Sequence, residues 1–177
     1  MTATTVEAAR FAWRLALIGL VMLGIQVALG GWTSTNYADI ACPDFPKCQN
    51  AWWPETDYKD AFVLWRGLGV NYEGGVLANP ARVAIHLTHR IGAFIAALTL
   101  TLAALTVITR KVLAKFAVAA YVVLAALALQ LTIGMSLVLR GFPLWLATAH
   151  TAGAALLLLS VLALLRGVGA TARTRSF

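Results

Sequence analysis

The chain has 177 residues and a net charge of +7, yet only 12% of it is charged and 60% is hydrophobic. An average soluble domain carries about 25% charged residues. A mean hydropathy of +0.80 excludes a disordered tail. A soluble nucleic-acid binder is excluded too, because no basic stripe is set on a soluble core. The composition is that of an integral membrane protein, so what matters is where the positive charge sits.

Four apolar runs are long enough to cross about 30 Å of hydrocarbon as helices, at roughly 13–32, 83–107, 116–139 and 144–165. The first is read as a retained helix, because Gly30-Gly31-Trp32 is a poor small-x-small cleavage site. An outer loop, 33–82, joins the first span to the second. A basic loop, 108–115, joins the second to the third, and the tight turn Arg140-Gly141-Phe142-Pro143 joins the third to the fourth. This predicts an all-α four-helix membrane bundle.

Charge orients it. Arg10, Arg14, Arg110, Lys111, Lys115, Arg166, Arg173 and Arg175 fall on one side, and Lys and Arg favour the cytoplasm. Asp39, Asp44, Glu55, Asp57, Asp60 and Glu73 fall on the other. Both termini are therefore expected in the cytoplasm and the long loop outside. That outer side also carries both cysteines and Trp52, Trp53, Trp65 and Trp145, as expected for an oxidising compartment and an interfacial aromatic belt.

The two halves resemble each other. Gln26-x-x-x-Gly30 in the first span matches Gln130-x-x-x-Gly134 in the third. His89-x-x-Gly92-Ala93 in the second matches His150-x-x-Gly153-Ala154 in the fourth. The expected relation is a pseudo-two-fold axis along the membrane normal, with the long loop an insertion in the first half.

The repeat sets His89 and His150 at equal depth, roughly 9 Å inside the outer face, on facing parallel helices. Two neutral imidazoles so placed suit the axial positions of a haem iron, whose macrocycle supplies the other four nitrogens. Gly92, Ala93, Ala149, Ala152 and Gly153 beside them admit a flat group, and equally suit ordinary helix contacts. Two histidines alone make a poor zinc site. Arg90, buried next to His89, needs an anion, and a haem propionate is the expected one. Backbone carbonyls or a loop carboxylate are the alternative, and Arg66, Arg82 and Arg140 are weaker propionate candidates. His86, one turn before His89, is open to reading as a relay, an alternative ligand or a plain interfacial side chain. Gln26 and Gln130 are placed to hydrogen-bond across helices. For Cys42 and Cys48 two readings stay open: a structural disulfide, or a pair that exchanges with a partner's thiols.

The run Gly30-Gly31-Trp32-Thr33-Ser34-Thr35-Asn36-Tyr37, then Cys42-Pro43-Asp44-Phe45-Pro46-Lys47-Cys48, Trp52-Trp53-Pro54, His86-Leu87-Thr88-His89-Arg90 and finally His150, resembles the bacterial haem A synthase family. Members oxidise the methyl group of haem O to the formyl group of haem A for cytochrome c oxidase. The family is usually twice this length, in two four-helix halves, and this chain is similar to the C-terminal half. The resemblance implies a single four-helix haem-binding membrane domain over 1–177, with His89 and His150 as ligands of a haem b iron and Cys42 and Cys48 as the loop pair. Haem O and haem A would be substrate and product. It further implies a bacterial inner (plasma) membrane location, with the long loop periplasmic or extracellular. Partners would be a second copy or a complementary half, with haem O synthase and oxidase assembly factors nearby. In the family's N-terminal half a glutamate stands three residues before the His-Arg element; here that position is His86, which makes it the one candidate catalytic residue. Two rival readings remain: a non-catalytic b-type cytochrome, and a quinone-linked thiol oxidase, which needs a further cysteine pair.

Overall fold

The computed structural model describes residues 3–67 and 75–173. Glu73 and Arg175, counted above toward the charge asymmetry, lie outside the described residues. The described residues are helical, with a single isolated β-bridge, Cys48 to Ala51. The elements are α1 (Ala3–Thr35), the short α2 (Tyr58–Ala61), α3 (Asn79–Thr109), α4 (Ala117–Leu139) and α5 (Leu144–Ala172). A 3₁₀ turn at Asp39–Ala41 follows α1, and another at Lys111–Phe116 leads into α4.

Four of these helices are long and apolar enough to span a membrane. α1, α3 and α5 run beyond the hydrophobic stretches that mark them in sequence, and α4 coincides with its own. α1 has 33 residues, about 50 Å of helix, because helix-compatible residues continue on both sides of its apolar centre. α3 starts at Asn79 rather than near 83, since Pro80 stands in the first turn, where its missing N–H costs nothing. The tight turn between α4 and α5 forms as expected, with Gly141 and Phe142 at φ of 67° and 58°.

α1 packs against α3 and α5, and α4 packs against the same two helices. α3 and α5, which carry the histidines, therefore stand at opposite corners. The principal apolar core fills one end of this square. It runs from Ala8, Ala9 and Ala12 through Leu100, Ala104 and Val123 to Leu164 and Val168. It reaches no further toward the histidines than Leu23, Leu100, Leu127 and Leu157.

The connection from α1 to α3 is folded onto α3. Ala38, Ala61 and Leu77 bury Ala81, Ala84 and Ile85, and Trp32 packs against this cluster while its indole N–H donates to the Ala61 carbonyl at 3.0 Å. Ala41, Cys42 and Cys48 bury Val83 and Leu87. The first three turns of α3 are thus covered by protein.

Candidate functional site

Gln26 on α1 reaches across to α3. Its Nε2 donates to the His89 carbonyl at 3.0 Å and lies 3.0 Å from His89 Nδ1. Gln130 on α4 makes the same reach to α5, donating to the His150 carbonyl at 3.0 Å and lying 3.4 Å from His150 Nε2. Both glutamines thus bridge helices, as their positions in the sequence suggest.

Glycines permit both contacts. A Cβ at Gly92 or Gly153 would run into the Oε1 of Gln26 or Gln130. A Cβ at Gly30 would stand 3.2 Å from His89 Cε1, and one at Gly134 would stand 3.0 Å from His150 Cε1. The small residues at these positions are spacers that let a glutamine and an imidazole approach a neighbouring backbone.

Three buried polar atoms here lack a protein partner: Gln26 Oε1, Gln130 Oε1 and His150 Nδ1. A buried polar group without a hydrogen bond costs free energy, so each calls for an explanation. Among the described residues no three His, Cys, Asp or Glu side chains converge as metal ligands. The available donor set is two imidazoles. That fits a metal whose other positions are filled by a macrocycle, and not a bare tetrahedral zinc. In each half the glutamine amide nitrogen faces the imidazole, while its unpartnered oxygen is turned toward Gly92 or Gly153.

Arg90 has different partners from the propionate expected of it. Its guanidinium donates to the carbonyls of Lys47 at 2.8 Å, Asp44 at 2.9 Å and Cys42 at 3.1 Å, and it lies 5.6 Å from the centre of the Phe45 ring. Only its Nε is left buried and unpartnered. Of the weaker candidates, Arg66 pairs with Asp60 at 2.9 Å and Arg82 donates to the Leu77 carbonyl at 2.8 Å.

His86 is buried, not interfacial, at 4% exposure. Its Nδ1 lies 2.9 Å from the Ala38 carbonyl, and its ring meets Phe142 of the α4–α5 turn edge-on, with centroids 6.4 Å apart. It therefore sits where the loop, α3 and the opposite turn meet.

Cys42 and Cys48 form a disulfide, and at 0% and 1% exposure it is buried against α3. Asp44 closes the same ring of residues. Its carboxylate accepts the backbone N–H groups of Gln49 at 2.6 Å and Asn50 at 2.9 Å. Desolvation acts to raise the Asp44 pKa, but those N–H groups and the charge of Arg90 outweigh it and hold the carboxyl below its ordinary range. At the foot of the loop burial pushes Asp39 up, partly offset by a hydrogen bond with Ser34. Sequence reasoning missed the Asp44 clamp, although an Asp followed by Gln and Asn near a turn is its visible sign.

A polytopic helical membrane protein with two matched intramembrane Gln–His pairs under a disulfide-bonded loop is the class these features define. The chain matches the COX15-CtaA family model, described as cytochrome oxidase assembly protein, over residues 2–162, and it belongs to that family. It is 41% identical over 147 residues to the haem A synthase of Shewanella oneidensis. That match covers 83% of this chain but 44% of the relative, so the chain spans about half the relative's length. No solved structure matches it.

Proposed function

We propose that the chain is a haem-binding four-helix unit of a haem A synthase, one domain over its whole length, with His89 and His150 as axial ligands of a haem b. It lies in a bacterial inner membrane, with both termini in the cytoplasm and the 33–82 loop outside. The single observation that supports this best is the matched pair of settings on diagonal helices. Each histidine has a glutamine across the bundle, a glycine against its ring and an acceptor with no partner. Haem, when bound, supplies the redox chemistry; this chain's residues supply ligation, orientation and exclusion of water. Gln26 and Gln130 orient the imidazoles, and the loop held by Arg90 and His86 closes the outer end over the site. His86 then anchors the loop, and the relay or catalytic role considered for it is not needed. The Arg90 Nε is the part of that side chain left for a propionate.

The oxidation of the haem O methyl group to a formyl group is assigned to an assembly larger than this chain. It is completed by a second copy or a complementary four-helix half, with haem O synthase and oxidase assembly factors as neighbours. The donor set favours this, since His89 and His150 would both be occupied in holding one iron. The same donor set favours, as a second reading, a b-type cytochrome that passes electrons without catalysis. A thiol oxidase is disfavoured, because the chain has 2 cysteines in all and they form one buried disulfide.

The test is purification with ample haem supply, a reduced-minus-oxidised optical spectrum and haem extraction. A low-spin b-type spectrum at one haem per chain is expected, and protein free of haem would sink the proposal. Conversion of haem O to haem A in cells that co-express the chain with haem O synthase separates the synthase from the plain cytochrome.

A further inference from the structure

At the end of the bundle away from the histidines, residues of α1 and α5 line a cleft of about 350 Å³. Arg10, Trp13 and Arg14 line it from α1, and Gly169, Ala172 and Arg173 line it from α5. Each set has the i, i+3, i+4 spacing of one helix face, so the two faces look at each other. Trp13 lies against Gly169, where a Cβ would come within 2.9 Å of its Cδ1 and Nε1. A larger residue at 169 would therefore push the indole aside and close the floor of the cleft. The cleft is far from the haem-type site: Trp13 precedes Gln26 by roughly 20 Å of helix, and Gly169 follows His150 by roughly 28 Å.

Positive charge at this end is expected from topology alone. Topology does not explain why three arginines from two helices line one cavity. Arg10 is partly spent on the end of α5, where its Nε donates to the Ala172 carbonyl at 3.2 Å. Among the described residues, Arg14 and Arg173 show no such engagement, no carboxylate lies within ion-pair distance of any of the three, and Glu7, a turn before Arg10, forms no ion pair. Convergent cations beside a tryptophan, at the depth where helices leave the hydrocarbon, match one chemistry. It is a phosphate ester whose charge meets the arginines and whose apolar part lies along the helices.

We propose that this cleft binds a phosphate-bearing anion, with Arg14 and Arg173 as its charged contacts and Trp13 as its wall. The ligand is the headgroup of an anionic phospholipid or a soluble phosphate, and the two sources separate in one experiment. The full chain is placed in phosphatidylcholine vesicles with and without brominated phosphatidylglycerol. The Trp13 signal is the fluorescence difference from Trp13→Phe. Stronger quenching by brominated phosphatidylglycerol than by brominated phosphatidylcholine is expected. The preference should fall about fivefold for each arginine removed in Arg14→Gln and Arg173→Gln. Gly169→Val should abolish it by closing the cleft, and size-exclusion profiles of all variants report whether they fold. A preference that persists in millimolar inorganic phosphate identifies the lipid. Thermal stabilisation by inorganic phosphate in pure phosphatidylcholine, lost in the arginine variants, identifies the soluble anion. Equal quenching by both lipids with no effect of phosphate would overturn the proposal. So would a lipid preference that Arg14→Gln and Arg173→Gln leave intact.

Discussion

The His89 half and the His150 half share a framework and differ in what surrounds it. Gln26, Gly30, His89 and Gly92 make the contacts that Gln130, Gly134, His150 and Gly153 repeat. Around His89, however, His86 and Arg90 hold a folded loop by four backbone carbonyls. Around His150 the corresponding positions are Ala147 and Thr151, next to a bare turn. One imidazole is thus embedded in a polar network, while the other keeps Nδ1 unpartnered. The shared part is what the proposed ligation of a group between diagonal helices would require. The unshared part is what a cover on one half requires. The comparison separates residues that serve the ligand from residues that serve the loop.

The largest expected effect tests the shared part. His89→Ala and His150→Ala should each remove the low-spin b-type spectrum, because either change leaves one axial position without its ligand. Retention of that spectrum in both variants would show that the ligand assignment is wrong. Next, Gln26→Leu and Gln130→Leu should each weaken haem retention by about 10- to 100-fold, the usual cost of losing the group that orients a metal-bound histidine. A loss confined to Gln26→Leu would break the equivalence of the halves, and haem titration of the stripped protein reads it directly.

Smaller effects belong to the unshared part. Arg90→Met removes three donors to loop carbonyls and should destabilise the loop by about 2 kcal/mol, the range for hydrogen bonds from a charged donor. Thr151→Ala, at the matching position of the other half, should change stability by less than about 0.5 kcal/mol. Hydrogen exchange at 41–51 distinguishes the two, since only the first variant should raise it. Cys42→Ser with Cys48→Ser should cost a similar amount, about 2 kcal/mol, because the bridge closes a short ring. The smallest effect is that of pH on Asp44. Its pKa in the folded loop is below the ordinary 3.8, so its contribution is complete above about that pH. The contribution is lost as pH falls through the lower, folded value. Loop exchange rates should rise on acidification below pH 3.8 in the native chain and lose this component in Asp44→Asn.

Much of this contrast is legible in the chain before folding. The span positions follow from hydropathy, and the paired glutamines, glycines and histidines follow from spacing alone. Their contacts depend on helical periodicity, which local sequence carries. The partners of Arg90 and His86 are not legible in that way. Each uses main-chain carbonyls more than 40 positions away, and a carbonyl has no residue signature. A charged side chain inside a span suggests an anion, and the carbonyls of Lys47, Asp44 and Cys42 that engage Arg90 carry no mark in the sequence. The burial of His86 is not legible either, because the loop folded over α3 covers it.

By itself the sequence determined the number and approximate positions of the spanning helices and the repeated Gln, Gly and His positions along them. Hydrophobic free energy and helical geometry act locally and leave a periodic trace. Only the tertiary structure decided that α3 and α5 stand at opposite corners, that the loop seals the outer end of α3, and that Arg90 serves that seal. Those outcomes depend on which backbone groups the packing of distant segments leaves in need of partners.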